Sequence, residues 1–163
     1  MELSLLADDP GAAETVATWY FNEWCADTGR YNKDVVLEKV SAATNRETAP
    51  MLVLAKDSGE LIGAAELKTR EMDIYPQFEF WMGGVYVAAD HRGKGVASKL
   101  VLEVISRARK AGIEKLYLQT EDLAGGLYAR YGFKPIEQAD SKGITVLVMV
   151  ADITEREVNI TEV

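Results

Sequence analysis

Residues able to do chemistry gather in one short stretch, "VYVAADHRGKGVAS", Val85 to Ser98. An apolar strand pattern runs into a polar loop, and an amphipathic helix pattern begins at once. Glycines at 93 and 95 remove side chains where backbone must come close to something. The first N–H groups of a helix have no partner within it, and the positive end of the helix dipole stands behind them. Such a junction is a seat for a phosphate or pyrophosphate. Arg92, Lys94 and Lys99 add positive charge. A P-loop is excluded, because Lys94 is followed by Gly95 and not by serine or threonine. A dinucleotide fingerprint is excluded too. Its third glycine position holds Ser98, and residues 88–92 separate strand from glycine.

A second group of candidates surrounds the strand before this loop. By alternation Glu79, Trp81 and Gly83 share one face, and a carboxylate among Phe78, Phe80 and Trp81 is a candidate general base with a raised pKa. Asp73 and Tyr75 lie just ahead of it, placed to line an acceptor pocket. His91, in the loop, reads as a packing residue. Cys25 sits in a partly apolar helical run and reads as a core thiol, and no metal-ligand cluster is present.

The elements that must position these residues follow from periodicity. "LSLLA" reads as a strand, residues 11–26 as a helix, and residues 32–44 as a second helix with Asn32 as its cap. "MLVLAKDSGELIGAAEL" reads as a hairpin turning at Asp57-Ser58-Gly59. "QFEFWMGGVYVA" reads as a strand in which Gly83-Gly84 marks a bulge. A helix over 95–112 buries Ala97, Leu100, Val101, Val104, Ala108 and Ala111. "EKLYLQT" is a strand, "LAGGLYARY" a short helix, and "FKPIEQ" and "ITVLVMVA" are closing strands. The pattern is α/β (α+β): one domain over 1–163, with a twisted mixed sheet of about seven strands and helices on both faces.

Composition narrows the partners. The 163 residues carry a net charge of -8, which argues against duplex nucleic acid. No run is long enough to span a membrane, and no basic leader precedes an apolar core, so a cytoplasmic location is expected. A homodimer is compatible with this surface.

Arg92-Gly93-Lys94-Gly95-Val96-Ala97 resembles the R/Q-x-x-G-x-G/A motif of the GNAT superfamily of N-acetyltransferases. "AGGLYARYGFKPI" resembles that family's A-x-x-L-Y-x-x-x-G-F segment, in the expected order and on the expected elements. The resemblance implies acetyl-CoA as cosubstrate. Its pyrophosphate would lie on Gly93, Lys94, Gly95, Val96, Ala97 and Ser98, with Arg92 beside it. Its pantetheine arm would pair with the backbone of Val85, Tyr86 and Val87. Tyr128 matches the family tyrosine near the sulfur, and the acceptor would be a primary amine on a small molecule. One departure stands out: Glu121 occupies a position where many members carry asparagine. The identity of the base stays open. So does a non-catalytic CoA-binding or sensor role, because fold does not fix function.

Overall fold

The computed structural model describes residues 1–27, 29 and 31–154. Strands β1 (Glu2–Leu5), β2 (Met51–Asp57), β3 (Glu60–Thr69), β4 (Phe80–Val87), β5 (Lys115–Thr120), β6 (Lys134–Ser141) and β7 (Ile144–Asp152) form one sheet. Their order is β1-β2-β3-β4-β5-β7-β6. Every neighbour pair is antiparallel except β4 and β5. A parallel pair needs a crossover, and helix α3 (Val96–Lys110) supplies it.

Helices cover both faces, as the pattern predicts. On one face α3 buries Val96, Leu100, Val101, Val104, Ile105 and Ala108 against Val53, Ala65, Leu67 and Met82. On the other, α1 (Ala13–Tyr20) and α2 (Lys33–Ser41) pack over Leu52, Leu54 and Ala64. Helix α1 buries Ala13, Val16, Ala17 and Tyr20, the three- and four-residue spacing of one helical stripe. The Asn32 side chain caps α2 by accepting from Val35 N at 2.9 Å. Beyond Tyr20 the first helix loosens into a π-helical turn, Phe21–Cys25. Among the described residues, no helix is long and apolar enough to cross a membrane.

Three expectations shift. The short helix after β5 is a 3-10 segment, Gly126–Tyr131. Ala97 leaves the α3 core stripe and is only half-buried, Ala111 lies past the end of α3 and is exposed, and Ile105 takes a place in that stripe. Strand β4 starts at Phe80, so Glu79 lies ahead of it and is exposed. The last shift has a clear cause. Phe78 stacks on Tyr117 at 4.0 Å and on Tyr75 at 5.0 Å, and Tyr75 donates to Glu137 Oε1 at 2.7 Å. The β3–β4 connection is thereby strapped across β5, β7 and β6 rather than extended as strand.

Candidate active site

Strands β4 and β5 are paired at one position, Trp81↔Tyr117, and part from there. Aromatic packing closes that end: Trp81, Phe78 and Tyr117 lie within 4.0 to 6.3 Å of one another, centroid to centroid. Beyond it β4 turns away. The β3–β4 register shifts between Ala64 and Glu66, which face Tyr86 and Gly83, so β4 carries one extra residue there. Gly84 takes φ +57°, and Tyr20 donates to its carbonyl at 2.6 Å. A Cβ on Gly84 would lie 2.5 Å from the Tyr20 hydroxyl, so only glycine fits. The expected bulge is real, and a residue from α1 holds it.

The gap between the strands opens into a cleft of about 520 Å³. Val85, Tyr86, Val87, Gly93, Gly95, Val96, Ala97 and Ser98 line it, together with His91, Arg92 and Tyr128. The structure thus gathers nearly all the sequence candidates in one place. Lys94 is exposed and is not among the lining residues. Neither is Glu79, whose carbonyl accepts from Arg70 N to close the loop before β4. Asp73 is exposed, and Tyr75 is buried in the aromatic strap. Glu121 is exposed and outside the lining, while its neighbour Asp122 orders the turn by accepting from Ala124 N at 3.0 Å.

The loop is shaped for a bulky anion. Gly95 is the N-cap of α3 at φ +81°, no side chain caps the helix, and its first turn holds no acidic residue. A Cβ on Gly93 or Gly95 would meet nothing within 4 Å, so the space over the bare amides is open. Arg92 is anchored rather than free: Nε donates to Val87 O at 2.9 Å, and the guanidinium lies 5.4 Å over the Tyr86 ring. Its charge is held at the mouth of the seat. Pyrophosphate of a nucleotide cofactor fits these residues, and an extended amide-bearing arm fits the unpaired edge of β4.

Against Gly83, and outside the residues that line the cleft, lies a charged cluster. Glu66 is 6% exposed, and burial raises its pKa even though Lys68 opposes the shift. Lys68 Nζ lies 3.5 Å from Glu66 Oε2 and 3.1 Å from Glu71 Oε1. Burial would lower the Lys68 pKa, but Glu71 and Glu66 outweigh it and hold the ammonium protonated. Tyr128 is half-buried, and burial, then the charge of Glu71, raises its phenol pKa. It keeps its proton and so can donate a hydrogen bond. The Glu66–Lys68–Glu71 trio was not singled out in the sequence, because "AELKTRE" reads as an ordinary solvated strand end. Glu23, Trp24, Leu127 and Arg130 also line the cleft. Glu23 and Trp24 belong to the π-helical turn; Trp24 falls on the apolar spacing of the first helical run, whereas nothing in the sequence marks Glu23.

The comparisons with known proteins agree with this geometry. A methionine sulfoximine/methionine sulfone acetyltransferase of Pseudomonas paraeruginosa is 32% identical over 99 residues, covering 56% of this chain and 55% of that protein. The chain thus spans about half the length of that curated relative. An aminoglycoside 6'-N-acetyltransferase complexed with coenzyme A superimposes with a TM-score of 0.74 at 17% identity, covering 96% of this chain and 99% of the other. A ribosomal-protein-alanine N-acetyltransferase of Brucella melitensis gives 0.69 at 18% identity, covering 93% and 99%. At those identities the structures share the fold. The family pattern itself matches residues 13–133, from the first helix through the tyrosine segment. With most of its length matched and its two motifs on the two walls of one cleft, the chain belongs to the acetyltransferase (GNAT) family.

Proposed function

We propose that the protein is an acetyl-CoA-dependent N-acetyltransferase acting on a primary amine of a small molecule. One observation carries this reading. The β4–β5 gap leads from a bare helix N-terminus, past an unpaired strand edge, to the half-buried Tyr128 hydroxyl. The amides of Gly93 to Ser98 and Arg92 would hold the pyrophosphate, and the Val85–Val87 backbone would hold the pantetheine arm. When bound, the cosubstrate supplies an activated acetyl group as a thioester. Backbone N–H groups of β4 at the bulge are placed to stabilise negative charge on the thioester oxygen. Tyr128 donates a hydrogen bond to the sulfur as it gains charge. Outright proton donation is disfavoured, since a free thiol has a pKa near 8.5 and a phenol about 10 before burial raises it.

A cytosolic setting suits a chain with one cysteine. The exposed edge strand β6 leaves a homodimer open to test by light scattering. Calorimetry with acetyl-CoA, followed by thiol release against a panel of primary amines, tests the function. Amine-dependent thiol release is expected. Binding without release by any amine would assign a CoA sensor instead, and no binding would remove the functional reading altogether.

A further inference from the structure

The cleft has two sides, one toward each face of the sheet. Alternation along β4 turns Val85 and Val87 toward the α3 core and Tyr86 toward the α1 core. Leu127 and Tyr128 also pack on the α3 side. The proposed cofactor contacts therefore lie on that side or on the strand edge itself. Glu23 and Trp24 belong to the other side, in the π-helical turn that follows α1. Trp24 stands four residues after Tyr20, where a regular helix would continue the buried stripe. The wider turn winds it outward, so that Tyr20 is 7% exposed and Trp24 41%. Tyr20 and Tyr86 brace the indole, at 5.3 and 6.3 Å between ring centres. Glu23 is exposed and has no ion-pair or hydrogen-bond partner among the described residues. The arginines of the lining are placed elsewhere: Arg92 is tied to Val87 O and the Tyr86 ring, and Arg130 follows Tyr128 in its 3-10 segment. A π turn that gives up burial of an indole, and sets an unpaired carboxylate next to it on a cleft wall, suits contact with a ligand.

On the acetyltransferase reading, we infer that Glu23 and Trp24 select the acceptor, a primary amine that carries a second positive charge on an apolar stem. A thioester held from the α3 side is open to attack from the α1 side, and direct transfer needs the amine to be held there. The remote cation pairs with the Glu23 carboxylate and lies against the Trp24 ring, whose π system attracts it. The stem packs on the same indole. An α-amino acid offers this wall a carboxylate in place of a cation, and Glu23 repels it. The net charge of -8 works in the same direction, since it draws a dication toward the protein. Glu23 and Trp24 determine specificity; the reacting atoms lie at the other end of the acceptor.

The test compares acceptors of one carbon count at neutral pH: cadaverine, with two cationic amines; pentylamine, with one; and norvaline, whose amine stands beside a carboxylate. Wild type should favour cadaverine over both in kcat/KM, by about 5- to 50-fold. Glu23→Gln keeps the size and removes the charge. It should shrink the cadaverine-to-pentylamine ratio by about 2- to 5-fold, chiefly through the KM of cadaverine. Trp24→Leu keeps an apolar side chain without the π system and should shrink the ratio by about 2- to 30-fold. A variant that merely folds poorly loses both amines alike and leaves the ratio untouched. An unchanged ratio in either variant therefore overturns the inference. So does a wild type that prefers pentylamine or norvaline, or one that binds acetyl-CoA yet acetylates none of the three. Weakened calorimetric affinity of Trp24→Leu for acetyl-CoA would put the indole on the cofactor and overturn it too. Lost acetyl-CoA binding by the wild type would strike the acetyltransferase reading itself, which separates the two failures.

Discussion

Two regions along β4 are built from different materials. The anion end is backbone: bare amides, two glycines at positive φ, and one arginine pinned to Val87 O. It comes from a single run of sequence. The region beside it is side chain: Tyr20 from α1, Glu66 and Lys68 from β3, Glu71 from the loop beyond, and Tyr128 from after β5. It draws on three separate stretches of the chain, around residues 20, 66–71 and 128. A backbone seat is rigid and indifferent to most substitutions, whereas a side-chain seat can be retuned by one exchange. The solved neighbours act on an aminoglycoside and on a ribosomal protein alanine by their descriptions, yet share one fold with this chain.

The sharpest way to break the comparison is to put a side chain into the backbone end. Gly95→Val should lower acetyl-CoA affinity by about 10- to 150-fold, the cost of one charged hydrogen bond at about 1.5–3 kcal/mol. The added side chain meets nothing in the protein, so the effect should appear on the ligand. Valine at φ +81° also strains the loop, at about 1–3 kcal/mol of stability. Arg92→Ala should weaken binding less, because a partly solvated charge is worth about 1 kcal/mol or below. Calorimetry on variants shown folded by circular dichroism ranks them. A reversed order would mean that charge, not backbone, makes the seat.

In the side-chain region Tyr128→Phe should lower kcat and kcat/KM together by a similar or smaller factor, about 10- to 100-fold, with acetyl-CoA affinity unchanged. The ring keeps its edge contact with Phe133 at 6.2 Å, so packing survives. Unchanged turnover, where chemistry limits the rate, would reduce Tyr128 to a core aromatic. Tyr20→Phe joins the two ends. It strips the part-buried Gly84 carbonyl of its donor and should cost about 1–3 kcal/mol in urea unfolding. A neutral result would leave the bulge self-supporting.

The smallest effect is a pH slope. Burial holds the Glu66 pKa above its unfolded value of about 4.3. Between those two values the folded state carries the extra proton, so stability falls as pH rises through that window. Glu66→Gln should remove this component of the fall, at most about 1.4 kcal/mol per pH unit. Urea titrations across mildly acidic pH read it directly. An unaltered slope would mean that Lys68 compensates Glu66 fully.

Legibility in the sequence follows the same division. The anion seat was readable because glycine spacing, a strand before it and a helix after it are local signals, and the structure assembles nearly all of those residues. Element order was readable from apolar periodicity, as α1 and α3 illustrate. Glu79 was misplaced because alternation was extended back through Phe78. Stacking of Phe78 on Tyr117, a contact between distant elements, holds that stretch outside the strand, which starts at Phe80 rather than at Gln77. The Glu66–Lys68–Glu71 trio was illegible for a related reason. Whether a charged strand end is solvated or buried depends on what covers it, and here the cover comes from α1 and the β3–β4 loop.

The most direct test of the central claim is a two-dimensional amide NMR titration with acetyl-CoA. The largest shifts should fall on Val85, Tyr86 and Val87 and on Gly93 to Ser98, with Tyr128 next and the β6–β7 hairpin unmoved. Saturable shifts confined to any other surface, or none at all, would contradict a cofactor seat between β4 and β5.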